Sequence, residues 1–474
     1  MAVAELVHSV LGWLVVVRLL LFDAMHLLPR TVLTLWLNFL PPRFFAVALP
    51  TFYAWVGPFF DADLTPALVQ IALLSLLVTG GLRRAVLWPA VGPGSRRAKL
   101  RTLSLFLGAP LIWTSRVASS SARGAENRRA LDAAFPLPAE AQAHLPAVYD
   151  WYAHLTNKFG GMPEIEANRT VVFRMASTSR PAEECLTGSF QSMPGDTSFK
   201  DYRKDIGVGK LSLDVFEPTP EVKARYGPRP VLLHVHGGGW RAGVRWFIKF
   251  NYHGGIPHFL LAKGYTIVSV SYRLSCTGAT PADMVDDVYQ AIEYVSAHAN
   301  EWEADGSRVV AFGTSAGGNI VLNAALMNPP ESLKGVVSLY GVSELRQDRL
   351  EAMATSAFER VHGYVFGLAS RYVCEHAQDK PDCFRRASPL WYVEEKQADA
   401  VQRVPVVLLH GREDPLVLAS QSRALADALR EKGARVALVD VHGSHDCDVH
   451  VSSACSQAAM FSMERLLLFV DHLK

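Results

Sequence analysis

The chain reads as an α/β protein, a mostly parallel sheet with helices on both faces, preceded by a strongly apolar helical region. Apolar runs near 231–236, 266–271, 308–313, 335–340, 404–410 and 434–441 predict strands. Between and after them lie stretches with helical spacing, near 281–299, 315–327, 418–432 and 455–472. In 283–298 the spacing is explicit, because Met284, Val285, Val288, Ile292 and Val295 fall on one face. Strands this continuously apolar, alternating with helices, call for a parallel sheet covered on both sides. Composition sets the rest apart: 50% of the 474 residues are hydrophobic and 19% charged, with the apolar excess gathered in 1–120. That charge content is leaner than the usual one quarter or so.

The region 1–120 is expected to be membrane-associated. Leu64 to Leu82 carries no charge and has the length of about 20 residues that a bilayer demands. Leu6 to Leu28 is long enough but holds Arg18, Asp23 and His26, and 31–60 is apolar but broken by Pro41-Pro42-Arg43 and Pro50. Leu103 to Trp113 is too short to span. Two to four spans are expected, and no secretory signal peptide, because no basic segment precedes Leu6. Residues 121–204 read as a linker with a peripheral helix near 139–159 and a loop, and 205–474 as the globular domain. Its longest break in alternation, 342–403, carries Phe358, Tyr364, Phe366, Tyr372 and Trp391 and reads as a cap insertion over the site.

The chemistry gathers where strands end. Gly313-Thr314-Ser315-Ala316-Gly317 follows the apolar run 309–312 and opens a helical run, so the sequence bends a strand sharply into a helix around an exposed hydroxyl. Upstream, Val231-Leu232-Leu233 leads into His234-Val235-His236-Gly237-Gly238-Gly239-Trp240, a run able to curl its N–H groups into a cavity. Preorganised N–H donors are what a developing oxyanion needs in acyl transfer. After the run 404–410, Asp414 falls in the turn past a strand end. Asp440, Asp446 and Asp448 are competing acids, but Asp414 alone stands in the turn before the histidine-bearing strand. His445, preceded by Gly443-Ser444, is preferred over His442 as the base. The order serine, acid, histidine assigns attack to Ser315, proton transfer to His445 and orientation of the imidazole to Asp414.

On these motifs, residues from about 205 to 472 resemble the α/β-hydrolase superfamily, specifically its HGGG-bearing carboxylesterase, acetyl-esterase-like and hormone-sensitive-lipase-like branch. Leu211 to Pro218, Ser271-Tyr272-Arg273-Leu274, Ala387 to Leu390 and His410 to Val417 carry the likeness further. The resemblance implies oxyanion donors at the N–H groups of Gly238, Gly239 and Ala316, with His236, Gly237, Gly313 and Gly317 as supporting motif positions. A looser likeness, to membrane-bound prenylcysteine methylesterases and arylacetamide deacetylases, covers only the pairing of such a domain with an apolar N-terminus.

The expected function is membrane-anchored hydrolysis of carboxylic esters through an acyl-enzyme, on a small-molecule or lipid ester, with no cofactor and no metal. An amidase or deacetylase using the same residues is the nearest alternative. A catalytically silent binding protein on this fold is the alternative from another class. The formal charge of +2 gives no reason to expect a nucleic-acid partner. An endomembrane resembling the endoplasmic reticulum is the expected location. Arg83, Arg84, Arg96, Arg97, Lys99 and Arg101 favour a cytosolic side after the best span. The six cysteines, among them Cys374, Cys383, Cys447 and Cys455, and the sequon Asn168-Arg169-Thr170 favour a lumenal one.

Overall fold

The computed structural model describes residues 124–142, 165–179, 209–248, 255–353 and 371–473, except 413, 415, 442, 444, 446 and 450–453. The apolar region 1–120 and the loop near 180–208 lie outside them, as does most of the helix expected near 139–159. Among the described residues, no helix is long and apolar enough to cross a membrane.

Eight strands form one sheet: β1 (Arg169–Met175), β2 (Lys210–Phe216), β3 (Pro230–Val235), β4 (Ile267–Val270), β5 (Asp305–Thr314), β6 (Leu333–Leu339), β7 (Val406–Gly411) and β8 (Val436–Val441). Their order is β1-β2-β4-β3-β5-β6-β7-β8. β1 and β2 pair antiparallel with each other, as do β2 and β4, while every later pairing is parallel. The six expected strands are β3 to β8. The sheet begins earlier than residue 205, however, because the stretch read as linker supplies β1. Its burial pattern is mostly exposed, so no apolar run announces it.

The strands are apolar on both faces because both faces are covered. Along β5, Val309 and Ala311 belong to one core, and Val310 and Phe312 to the other. The first core is closed by α2 (Pro281–His298), α3 (Ala316–Leu326), α4 (Pro389–Glu395) and α5 (Ala419–Glu431). The second is closed by α6 (Ala454–Asp471), with α1 (124–134) beside it contributing Leu131. α1 also covers the open edge of the sheet: the Asn127 amide donates to the Asp440 carbonyl at 2.9 Å and accepts the Asp440 N–H at 3.1 Å. At Asp440 the side chain stands where the backbone of a ninth strand would pair.

Helix starts follow local chemistry. At α2, Thr280 accepts from the Asp283 N–H at 3.3 Å, and the Asp283 carboxylate accepts from the Thr280 N–H at 2.8 Å, with Pro281 in the first turn. The segment between β4 and α2 is pinned by Arg273, whose Nε lies 2.9 Å from Asp287 Oδ2 in the core-facing side of α2. The Asp287 carboxylate also accepts the Arg273 backbone N–H at 2.9 Å and pairs with Arg174 of β1 at 2.9 Å.

The described part of 342–403 packs against α3 and α5, and Trp391 is packed against the first core. Residues 354–370, with Phe358, Tyr364 and Phe366, lie outside the described set, and so does the side chain of Tyr372.

Removing Asp287 would take away the one fully buried carboxylate that meets the Arg273 Nε, the Arg273 backbone N–H and Arg174, leaving these arginines only the more exposed Asp283 and Asp286. Asp287→Ala is therefore expected to lower unfolding stability by about 3 kcal/mol, the scale for breaking a buried pair by one partner. A urea midpoint unchanged from the parent protein would contradict it.

Candidate active site

Four turns meet at one edge of the sheet, two on each side of β6. β3 ends at Val235, β5 at Thr314, β7 at Gly411 and β8 at Val441, all parallel, and the residues of interest follow each end. Ligands in open α/β sheets bind outside these carboxyl ends.

Ser315 stands between β5 and α3 with φ 51° and ψ −117°, outside both the strand and the helix regions. Its N–H donates to the Leu339 carbonyl at 3.0 Å, and its carbonyl accepts the Asn319 N–H at 3.0 Å, so strand and helix both grip the bend. The positive φ is the strained conformation of a nucleophile held out at a strand-to-helix corner. Gly317 makes the corner possible: a Cβ there would sit 2.1 Å from the Val235 carbonyl oxygen. Only a hydrogen lets α3 approach the end of β3 that closely. Gly313 packs on the same corner from β5.

The glycine run curls beside this corner. Gly237 abuts Thr314 and Ser315, and Gly238 and Gly239 have φ of 120° and 60°. Gly238 folds onto Ala242, whose N–H donates to the Gly238 carbonyl at 2.9 Å, leaving no room for a side chain. Trp240 follows with φ 60°, and its indole N–H donates to Asn319 Oδ1 at 3.3 Å. The Asn319 amide in turn donates to the Val342 and Ala387 carbonyls, each at 2.8 Å. One asparagine thus ties the glycine run, α3 and the insertion together. Ala316 opens α3 directly after the serine.

His445 bridges the other two strands. Its Nδ1 lies 2.7 Å from Asp414 Oδ2 and its Nε2 lies 3.0 Å from Ser315 Oγ. The carboxylate partner assigns the proton to Nδ1, leaving Nε2 to accept the serine hydroxyl. Asp414 is fully enclosed. Burial pushes its carboxyl upward, but the nearby His445 charge and hydrogen bonds from His410 and His445 outweigh it, holding the group well below the usual carboxylate range. Ser315 itself is half-exposed, so the chain of hydrogen bonds runs from a dry carboxylate to an accessible hydroxyl.

Two of the three competing acids are occupied elsewhere. Asp440 pairs with Arg412 at 2.8 Å. Asp448 accepts the Tyr340 phenol at 2.5 Å. Asp446 and His442 lie outside the described residues. Tyr340 has φ 41° at the end of β6, and its ring sits 4.7 Å from the His445 ring. Tyr340 and Asp448 therefore steady the loop that carries His445, a role no motif in the sequence signals. Cys447 and Cys455 form a disulfide just beyond that histidine, and Cys374 and Cys383 form another in the insertion. Cys276 is disulfide-bonded as well.

His236 is a support. Its Nδ1–H donates to the Gly237 carbonyl at 2.8 Å, and its ring stacks on Tyr272 at 4.4 Å. The Tyr272 hydroxyl donates to the His236 carbonyl at 3.0 Å, which fixes the backbone just ahead of the glycines.

This is the architecture of an α/β-hydrolase-type domain, with a serine, a histidine and an aspartate in hydrogen-bonded series beside a glycine run. Residues 213–429 match the family described as BD-FAE. The resemblance to the HGGG-bearing esterase branch stands on that match and on its relatives. The chain is 31% identical over 217 residues to a protein named esterase LipQ from Mycobacterium tuberculosis, a span that is 43% of this chain and 47% of that one. It is 27% identical over 257 residues to the isoprenylcysteine alpha-carbonyl methylesterase ICME of Arabidopsis thaliana, covering 53% of this chain and 57% of the other. Among solved structures, a thermostable esterase from Pseudomonas putida aligns over 56% of this chain and 80% of its own, at 22% identity and a TM-score of 0.44. The chain spans about half the length of the curated relatives it matches.

Burial lowers the pKa of His236 from 6.5 to about 4, with the charge of Arg245 acting in the same direction against the Gly237 hydrogen bond. Folded His236 thus refuses a proton that the unfolded chain accepts between these values. Its contribution is fully present above pH 6.5 and is lost as pH falls toward 4, by about 3 kcal/mol in all. Urea unfolding at steps of pH should show that slope, and His236→Gln should flatten it. An equal slope in the variant would contradict this assignment.

Proposed function

We propose that this chain is a serine hydrolase that cleaves carboxylic esters through an acyl-enzyme. The observation that carries the reading is the series Asp414, His445 and Ser315, joined at 2.7 and 3.0 Å beside the glycine run. The names of the relatives, which are esterases and a methylesterase, point the same way.

In this reading, Ser315 Oγ attacks the ester carbonyl carbon as its proton passes to His445 Nε2. The oxyanion is received by the N–H groups of Gly238, Gly239 and Ala316. Collapse of the tetrahedral intermediate breaks the bond to the alcohol, which takes the proton from Nε2 as it leaves. Water then repeats the sequence against the acyl-serine, giving the carboxylic acid and restoring the hydroxyl. Asp414 stays ionised throughout and steadies the imidazolium, a role suited to its lowered pKa. Ester hydrolysis by this route needs no cofactor.

The apolar region 1–120 would hold the enzyme in a membrane and draw on a lipophilic ester. The support is the uncharged stretch Leu64 to Leu82. The catalytic domain would face the oxidising side of an endomembrane. The disulfides Cys374–Cys383 and Cys447–Cys455 support that side, as does the sequon at Asn168, exposed at the start of β1. On this reading the basic cluster after Leu82 is a headgroup contact or precedes a further crossing.

Ser315→Ala is expected to reduce hydrolysis of short p-nitrophenyl esters by at least about 10³-fold without loss of fold. Wild-type turnover in that variant would remove the mechanism. For the anchor, the full chain is expected to stay with membranes through an alkaline carbonate wash. Release into the supernatant would contradict integration.

A further inference from the structure

The acid of the series does not face one imidazole but two. His410, in β7, is fully buried, and its Nε2 lies 3.2 Å from Asp414 Oδ2, the same oxygen that receives His445. Nε2 also lies 2.9 Å from the Val417 carbonyl. Both neighbours are acceptors, so Nε2 carries the hydrogen, which bonds to the Val417 carbonyl and faces Asp414 Oδ2. Nδ1 is then the acceptor, and Ser422 Oγ, 2.7 Å away in α5, donates to it. The ring is thereby locked in one tautomer and one orientation.

The other oxygen is held differently. Asp414 Oδ1 accepts the N–H groups of Leu416 and Val417 at 2.8 and 2.9 Å. Among the described residues, the carboxylate has two backbone donors on Oδ1, the His445 donor on Oδ2 and the His410 N–H facing that same oxygen. Both oxygens of the ionised group are thus met by donors, the condition for keeping a charge in a dry position. The backbone donors sit on the loop itself and move with it. His410 is the one donor anchored in the sheet, and Val417, which it also binds, closes the same loop from the far side.

We propose that His410 is a positioning residue for Asp414, fixing the oxygen that orients His445 and competing with His445 for its charge. This rests on the esterase reading above and adds a residue to it. His410 touches neither substrate nor Ser315 and acts only through the carboxylate. Ser422 acts one step further out, as the donor to Nδ1 that fixes the ring's orientation: without its hydroxyl the ring keeps its hydrogen on Nε2 but is anchored at that end alone.

Three variants test it: His410→Leu, which removes the donor; His410→Gln, whose amide reaches the Nε2 position and restores one; and Ser422→Ala. With a p-nitrophenyl ester, His410→Leu is expected to lower kcat by about tenfold, with KM within about twofold, the scale of one hydrogen bond to a charged group. His410→Gln should recover most of that loss, and Ser422→Ala should lie between the two. A structural role alone would not be restored by a donor of different shape. The proton between His445 Nδ1 and Asp414 supplies a reading that does not depend on turnover: its downfield NMR resonance should move further downfield in His410→Leu, because Oδ2 has lost its second donor. It should return toward the wild-type position in His410→Gln. A folded His410→Leu with unchanged kcat and an unmoved resonance overturns the proposal. Should that variant fail to fold, Ser422→Ala carries the same two measurements, and no change in either overturns it. A wild-type protein that hydrolyses no ester sinks the esterase reading instead, while the resonance still decides the role of His410.

Discussion

A charge kept out of water is the constraint from which the site follows. Asp414 is enclosed, and an ionised carboxyl in that position is tolerable only when its oxygens are met by donors. Those donors come from the loop after β7, from β7 itself and from the loop after β8. Satisfying one carboxylate therefore fixes the relative placement of two strand ends and aims the far nitrogen of His445 at Ser315. The hydroxyl, by contrast, needs access, and the strained corner at residue 315 provides it.

The rest of the edge is arranged by close approach. α3 reaches the end of β3 because Gly317 has no Cβ, and that contact brings the glycine run alongside the serine. Trp240, Asn319 and the carbonyls of Val342 and Ala387 then hold the run from behind. Tyr340 and Asp448 do the same for the histidine loop, where a disulfide lies just beyond. The reacting groups sit on turns, and each turn is braced by a buried polar contact to a neighbouring element. A site built this way loses little to reorganisation when charge develops.

Much of this was legible in the sequence, for definite reasons. β3 to β8 are buried on both faces, so their residues form apolar runs that need no periodicity to be seen. Ser315, His236 to Gly239 and Asp414 stand directly after such runs, where strand ends place chemistry. The preference for His445 rested on its small neighbours, and the structure sets that residue between the carboxylate and the hydroxyl. What escaped was whatever lacks an apolar signature or acts over distance. β1 is an exposed edge strand with arginines at 169 and 174, and it read as linker. Asn319 looked like an ordinary helical residue, and His410 like the end of a strand. Their partners lie 68 and 12 positions away, at Ala387 and Ser422, a separation that no local pattern encodes.

On the proposed function, Ser315 is a nucleophile made reactive by His445 and Asp414. Covalent labelling by a fluorophosphonate, located by mass spectrometry of the digested protein, addresses it without knowledge of the substrate. A single adduct is expected on the peptide containing Ser315, formed far more slowly in His445→Ala. Labelling at another residue, or at Ser315 with equal speed in that variant, would contradict it.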